Sequence, residues 1–363
     1  MELQQYDSMM NNPPRIDGEY LVHVLCLRIT QIISDVEIFQ VTESNTSLTI
    51  RFKILIKEYG HSDSTRQFFI KTIKNNPETH AYHELSIKEV EFYKFIQNVT
   101  DANLPIAQCF DAYIADDKSK YLLLLEDLSN KYDATNKVDL TLENIWLSSA
   151  YSLANFHAAF WNLVKLGPSD LPMNSVEKNN LSIENTYQSY ERFIKYVGIR
   201  FNAETLAVFE HALRISVELQ TETYKRIVNK DNITLINGDS HIYNFMFPHN
   251  QNKSPIIIDF QFWGTGIGVG DVAHLTRVSF PEICGENLHR SIMRKYYETL
   301  LAQGVKGYLW DACWNDYRKQ VASMLLIPMW QYTLFDLKYD DWIKDFSSLI
   351  LNYKLLHCEQ VEV

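Results

Sequence analysis

The period of the apolar positions changes several times along this chain, and each change marks a new element. In Asp17–Thr30 the apolar residues Leu21, Val24 and Leu25 fall at helical spacing. From Ile32 to Thr72 the pattern shortens. VEIFQV, SLTIRFKILIKEY and RQFFIKTI alternate or are rich in β-branched and aromatic residues, which predicts three strands of an antiparallel sheet. Residues 83–99 return to the helical period, with a stripe of Leu85, Val90, Phe92, Phe95 and Ile96. Two more strands are expected at Ala112–Asp116 and Tyr121–Leu125, joined by a Lys-Ser-Lys turn. After Asp139 helices dominate, at Leu140–Leu163, 186–198 and 203–229, with a polar, proline-containing loop at 167–185. The tail beyond residue 286 also reads as helical. A sheet-rich first third followed by a helical remainder is an α+β pattern.

One stretch interrupts the helices. LINGDSHIYNFMFPHNQNKSPIIIDF, residues 235–260, reads as loop, short strand, polar turn, short strand and a terminal carboxylate. It places Asp239, then Asn244 five residues on, then Asp259 at the end of Ile256–Ile258. This is the order in which kinases present their phosphoryl-transfer groups. The residue types suit the chemistry. A hydroxyl is a poor nucleophile at neutral pH, so a carboxylate, Asp239, would orient it and accept its proton. Magnesium takes hard oxygen ligands and needs only one or two from protein when phosphates supply others; Asn244 and Asp259 offer them. Polar hairpin turns also contain Asp and Asn, but the flanking strands and the second Asp go beyond that. Upstream, Lys71 shares a strand face with Phe69 and Ile73. A lysine on an apolar face is uncommon unless paired, and Lys71 is the candidate phosphate-binding lysine, with Lys74 as fallback. An edge lysine reaching solvent is the plain alternative.

NGDSHIYNFMF followed by IIIDFQFWGTGIGVGDVAHL resembles the aminoglycoside-phosphotransferase and choline-kinase superfamily, and most of all its ecdysteroid-kinase-like branch. The resemblance implies a bilobal protein-kinase-like fold. A nucleotide-binding lobe would span 1–127, with an antiparallel sheet and one helix. A mainly helical catalytic and substrate-binding lobe would span 128–363. It implies ATP and Mg2+ as cofactors and phosphate transfer to a small-molecule hydroxyl. It also implies that Glu89, in EVEFY, pairs with the strand lysine (Glu91 being the neighbouring alternative). Glu126 and Leu128 would lie in the hinge whose backbone receives adenine. His157 reads as a packed structural histidine, and Asp271 as a helix cap or a brace for the catalytic loop. The sequence departs from the family at Asn237, where the pattern has His, and in the glycine-free turn at Glu43–Ser47. These departures keep open a nucleotide-binding protein without catalysis. A protein kinase is disfavoured, since nothing after Asp259 reads as Ala-Pro-Glu. The glycine-rich run Gly264–Gly270 is expected to be a flexible segment.

A formal charge of −11 argues against nucleic acid as a partner and permits a cationic one. Five scattered cysteines without Cys-x-x-Cys read as reduced thiols in a cytosolic protein. No leader is expected from the first residues, and no apolar run reaches membrane-spanning length. Trp310, Trp314, Tyr332 and other tail aromatics, with nearby acid, lean towards an amine-bearing or lipophilic alcohol as acceptor, with an aminoglycoside next. The sequence says nothing of oligomeric state.

Overall fold

The computed structural model describes residues 32–43, 48–57, 64–72, 80–99, 103–163, 176–250, 252–277 and 285–357. The expected helix at 17–30, the turn at 44–47 and Lys74 lie outside them. The chain divides into two compact units. The first holds the described residues of Met1–Asp101, Ile106–Lys131 and Phe260–Phe262; the second holds those of Ala102–Pro105, Tyr132–Asp259 and Trp263–Val363. Residues 128–131 go with the first unit because Lys131 N donates to Leu128 O at 2.9 Å and the Lys131 ammonium faces Glu126 at 3.6 Å.

The described residues of the first unit form a five-stranded antiparallel sheet with one helix. Its strands are β1 (Ile32–Glu43), β2 (Leu48–Lys57), β3 (Ser64–Thr72), β4 (Cys109–Ile114) and β5 (Tyr121–Glu126), in the order β1-β2-β3-β5-β4. Alternation in β2 and β3 buries Ile50, Phe52, Ile54, Phe68, Ile70 and Thr72 on one face and leaves Arg51, Phe69 and Lys71 half-buried on the other. The run Tyr121–Leu125 loses alternation because β5 is interior to the sheet and buried at every one of those positions. Helix α1 (His80–Val99) crosses between β3 and β4 and buries Ile87, Val90, Phe92, Tyr93 and Ile96. Phe260 stacks on Phe92, ring centroids 3.8 Å apart. The fourth strand begins and ends earlier than the expected Ala112–Asp116. Ala115 N donates to Lys120 O at 3.0 Å and Asp117 accepts from Ser119 N at 2.9 Å, so turn chemistry claims 115–119.

The second unit is mainly helical. After β6 (Tyr132–Ala134) come α2 (Glu143–Ala159), α3 (Val176–Val197) and α4 (Ala203–Asn229). Helix α3 starts ten residues before the expected 186, inside the stretch 167–185 expected as loop. Its first turns are polar on nearly every side, so no apolar stripe marks them; Ser182 reaching Gln220 of α4, at 3.2 Å, helps hold them. Next come β7 (Thr234–Ile236), β8 (Phe245–Pro248), β9 (Ile256–Ile257) and β10 (Gly264–Gly266), then α5 (Val269–Thr276), α6 (Glu286–Ala302), α7 (Trp310–Ser323), α8 (Ile327–Phe335) and α9 (Tyr339–His357). The short strands form two small sheets, β6-β8-β9 and β10-β7. No helix among the described residues is long and apolar enough to cross a membrane.

The glycine-rich run is ordered, contrary to the sequence expectation. Gly264–Gly266 pairs with Ile236–Thr234 as β10. A Cβ on Gly268 would lie 2.6 Å from Tyr296 Oη and 2.8 Å from His157 Nδ1. Close packing, not flexibility, requires that glycine.

Candidate active site

The site grows out of the end of β7. Asn237 follows the strand, and Gly238 then takes φ +83°, the left-handed region that glycine enters without a Cβ penalty. This turn is held from behind by Asp271 in the first turn of α5. One carboxylate oxygen accepts from Asn237 N at 2.7 Å and the other from Gly238 N at 2.9 Å. His157 Nε2 meets Asp271 at 3.1 Å, and His157 Nδ1 meets Tyr296 Oη at 2.9 Å. All of these side chains are buried. Burial pushes the Asp271 carboxyl up, but the bond and charge of His157 and the two backbone N–H donors outweigh it and hold the carboxyl below its usual range. Asp271 is therefore a brace for the loop, and His157 supports the brace.

Asn237 has no exposed surface and uses both ends of its amide. Its Nδ2 donates to Asp259 O at 2.9 Å and Ile258 O at 3.3 Å. Its Oδ1 accepts from Asp239 N at 3.1 Å and Ser240 Oγ at 3.3 Å. The residue that departs from the family pattern thus ties the Asp239 loop to the backbone at Asp259.

Asp239, Asn244 and Asp259 form one hydrogen-bonded assembly. A 3₁₀ turn at Ile242–Asn244 returns the chain so that Asn244 Nδ2 donates to Asp239 O at 2.8 Å. Asn244 O in turn accepts from Ile258 N at 3.0 Å, extending the β8–β9 ladder to the residue before Asp259. Asp259 itself adopts φ +59°, uncommon for a residue with a Cβ and typical of a side chain turned by its surroundings to a set position.

The Asp239 carboxylate is flanked by three nitrogen-bearing side chains that sequence reasoning passed over. His274 Nδ1 lies 3.5 Å and Arg277 Nη1 3.6 Å from Oδ1; His241 Nε2 lies 3.6 Å from Oδ2. Burial raises the Asp239 carboxyl, but His274, Arg277 and His241 together bring it below its usual range, which keeps the carboxyl ionised at neutral pH. Burial lowers His241 to about 4, which leaves it neutral at pH 7. His241 is two residues from Asp239, and His274 and Arg277 are one turn apart on a helix; this i, i+3 spacing was the available signal.

In the first unit, Lys71 Nζ meets Glu89 Oε2 at 2.6 Å, with side chains 13% and 6% exposed. The lysine is thus paired rather than reaching solvent, and Glu89, not Glu91, is its partner; Glu91 faces Lys118 at 3.3 Å. At the hinge candidates, Glu126 N donates to Gln108 O at 2.9 Å and Asp127 N to Gln67 O at 3.2 Å. Leu128 is buried and its carbonyl accepts from Lys131 N; its own N–H enters none of these bonds. A cavity of about 490 Å³ is lined by Thr65, Arg66, Gln67 and Phe68, at the start of β3, together with Phe110 and Asp127.

The donor set fits a magnesium ion carried by a nucleotide. With its nitrogen bound to Asp239 O, Asn244 is left to offer an oxygen, and Asp259 offers a carboxylate. Among the described residues no three His, Cys, Asp or Glu side chains converge as a cage for a metal. Two protein oxygens plus phosphates and water are the usual magnesium environment. The tail aromatics are arranged differently from an open amine cage. Arg294 lies 3.9 Å from the Trp310 ring centre, Arg290 4.7 Å from Trp314, Arg200 5.6 Å from Tyr339 and Lys338 5.5 Å from Tyr332. Asp316 is engaged by Arg226 at 2.7 Å and Tyr308 at 2.7 Å.

An antiparallel sheet with a buried Lys–Glu pair, and a helical unit carrying an Asp, Asn, Asp hairpin, define a protein-kinase-like fold of the small-molecule-kinase class. Residues 29–306 match the model of the Ecdysteroid kinase-like family, and the chain belongs to that family. Its fold is similar to a candidate aminoglycoside phosphotransferase from Ralstonia eutropha: TM-score 0.59 at 13% identity, covering 94% of this chain and 98% of that one. It is also similar to a thermostable variant of aminoglycoside phosphotransferase APH(4)-Ia solved with ADP and hygromycin B (TM-score 0.54, 12% identity, 94% and 99% covered). A microcompartment-associated aminopropanol kinase matches at TM-score 0.52 and 13% identity, over 93% and 96% of the two chains. No curated protein sequence gives a significant match.

Proposed function

We propose that this protein transfers the γ-phosphate of ATP to a hydroxyl group of a small molecule. The observation that carries the reading is the Asp239–Asn244–Asp259 assembly, in which hydrogen bonds tie the backbone of Asp239 to the Asn244 amide and, through Asn237, to the backbone of Asp259. Asp239 orients the acceptor hydroxyl and takes its proton. Lys71, held by Glu89, binds nucleotide phosphates, and the backbone near Glu126 and Leu128 receives the adenine. Asn244 and Asp259 hold Mg2+, which when bound neutralises phosphate charge. Fixed positioning supplies most of the rate in such a reaction. A cytosolic location, where ATP is plentiful and Cys109 and Cys313 stay as free thiols, accompanies the reading.

The silent-pseudokinase alternative rested on Asn237 and on the glycine-free turn at Glu43–Ser47, of which residues 44–47 lie outside the described residues. The four hydrogen bonds of Asn237 give it a bracing role of its own, which favours an active enzyme. For the acceptor, the sequence leaned to an amine-bearing or lipophilic alcohol. The chain's own arginines and lysine on the tail aromatics favour the lipophilic half, with an aminoglycoside as the next choice. Incubation with Mg·ATP and a mixed panel of alcohols, read by mass gain of one phosphate, tests the reading. Mg·ATP binding without any transfer or Asp239-dependent ATP hydrolysis would count for the silent alternative.

A further inference from the structure

Arg277 is a partly buried guanidinium, 16% exposed, beside the candidate base. Its ion-pair partner among the described residues is Asp239, at 3.6 Å, which is beyond good hydrogen-bond length. No described residue accepts a hydrogen bond from its side chain. A guanidinium carries five N–H donors in a planar fork, and those of Arg277 are open to an incoming acceptor. One turn earlier, His274 Nδ1 is also buried without a hydrogen-bond partner and lies 3.5 Å from the same Asp239 oxygen. Two donor groups therefore point their unmet capacity at the carboxylate that would hold the reacting hydroxyl. His241, on the other oxygen, is a further nitrogen and not an acid.

We propose that Arg277, with His274 beside it, recognises a carbonyl or carboxylate oxygen of the acceptor that adjoins the hydroxyl to be phosphorylated. This rests on the phosphotransfer reading and narrows its substrate class. Planar oxygen pairs match the guanidinium fork, which lysine does not reproduce. An ammonium group next to the hydroxyl would instead be set against Arg277. The acceptor is thus a hydroxy ketone or hydroxy acid in its reacting part, whatever apolar body it carries, and amino alcohols are poor acceptors.

The test uses the full chain with Mg·ATP and small probes of matched size: glycolate, lactate and 3-hydroxybutyrate; hydroxyacetone; ethanolamine, 1-amino-2-propanol and choline. The expected result is at least about tenfold higher kcat/KM for one of the oxygen-flanked groups than for any amino alcohol, a difference of the size one good polar contact provides. The acid and ketone arms separate carboxylate from carbonyl recognition. Arg277→Gln should raise the acceptor KM about tenfold while the KM for ATP moves less than about twofold, and Arg277→Lys should recover only part of the loss. Where turnover is too slow, thermal stabilisation by glycolate or hydroxyacetone over ethanolamine, with Mg·ADP present and lost in Arg277→Gln, decides the same point. Preference for amino alcohols, equal use or binding of all groups, or an Arg277→Gln effect on kcat alone overturns the proposal. Failure to bind Mg·ATP at all would overturn the phosphotransfer reading itself, a distinguishable outcome.

Discussion

The side-chain amide of Asn237 donates to the backbone carbonyl of Asp259 at 2.9 Å, while the oxygen of the same amide accepts from Asp239 N at 3.1 Å. One buried side chain therefore sets the distance between the candidate base and the candidate metal carboxylate. Neutral Asn can do this because its amide both donates and accepts.

Asn237→Ala should cost stability and activity together. It leaves the Asp259 carbonyl and Asp239 N–H without their buried partners, a loss of about 1–3 kcal/mol by the usual cost of an unmet buried polar group. Denaturant midpoints and the magnesium concentration for half-maximal transfer check it. Asn237→His, which restores the family residue, should keep more of both than the alanine variant. Equal damage from both substitutions would mean that packing, not bridging, is what Asn237 supplies.

The Lys71–Glu89 pair should behave as a coupled unit. Glu89→Ala leaves a lysine that is 13% exposed without its carboxylate, and Lys71→Ala does the reverse. Each should destabilise the protein, and Lys71→Met should also weaken ATP binding about tenfold or more. A double-mutant cycle on unfolding free energy should give a coupling of about 1–3 kcal/mol. Additive effects would show that the contact carries no energy.

Acid should destabilise this protein in a defined window. Burial lowers His289 to about 4, against 6.5 for the unperturbed group, opposed by its bond to Asn352. The unfolded chain therefore binds a proton between pH 6.5 and 4 that the folded one does not. The His289 contribution is fully present above pH 6.5 and is lost as the pH drops to 4, by on the order of 3 kcal/mol, and His241, lowered likewise to about 4, adds to the loss in the same window. Below that, Asp271, whose folded carboxyl is depressed, loses its contribution as it protonates. Urea midpoints against pH should be flatter between 6.5 and 4 in His289→Gln. An unchanged slope would place the acid sensitivity elsewhere.

What the sequence revealed and what it hid follow a common physical line. Local periodicity exposed β1 to β3, helix α1 and the hairpin of Asp239, Asn244 and Asp259, because their apolar and polar positions repeat at the spacing of the element itself. Helix α3 began before its apolar stripe did, so its first turns read as loop. Strand β10 was hidden because two of its three residues, Gly264 and Gly266, disfavour strands, and the pairing with β7 makes it one. His274 and Arg277 were hidden because their meaning comes from Asp239, which is distant in sequence and close in space. The tail aromatics were visible, but the arginines and lysine covering several of their faces were not.

Asp239→Asn, compared with wild type by Mg·ATP titration calorimetry and by phosphate transfer to the best acceptor of the panel, decides whether Asp239 is the base. The substitution keeps the shape of the side chain and removes the proton acceptor. Unfolding and Mg·ATP affinity should stay near wild type while turnover falls by about 10²–10⁴-fold, the range expected for loss of a positioned general base. Wild-type turnover in Asp239→Asn would contradict that role.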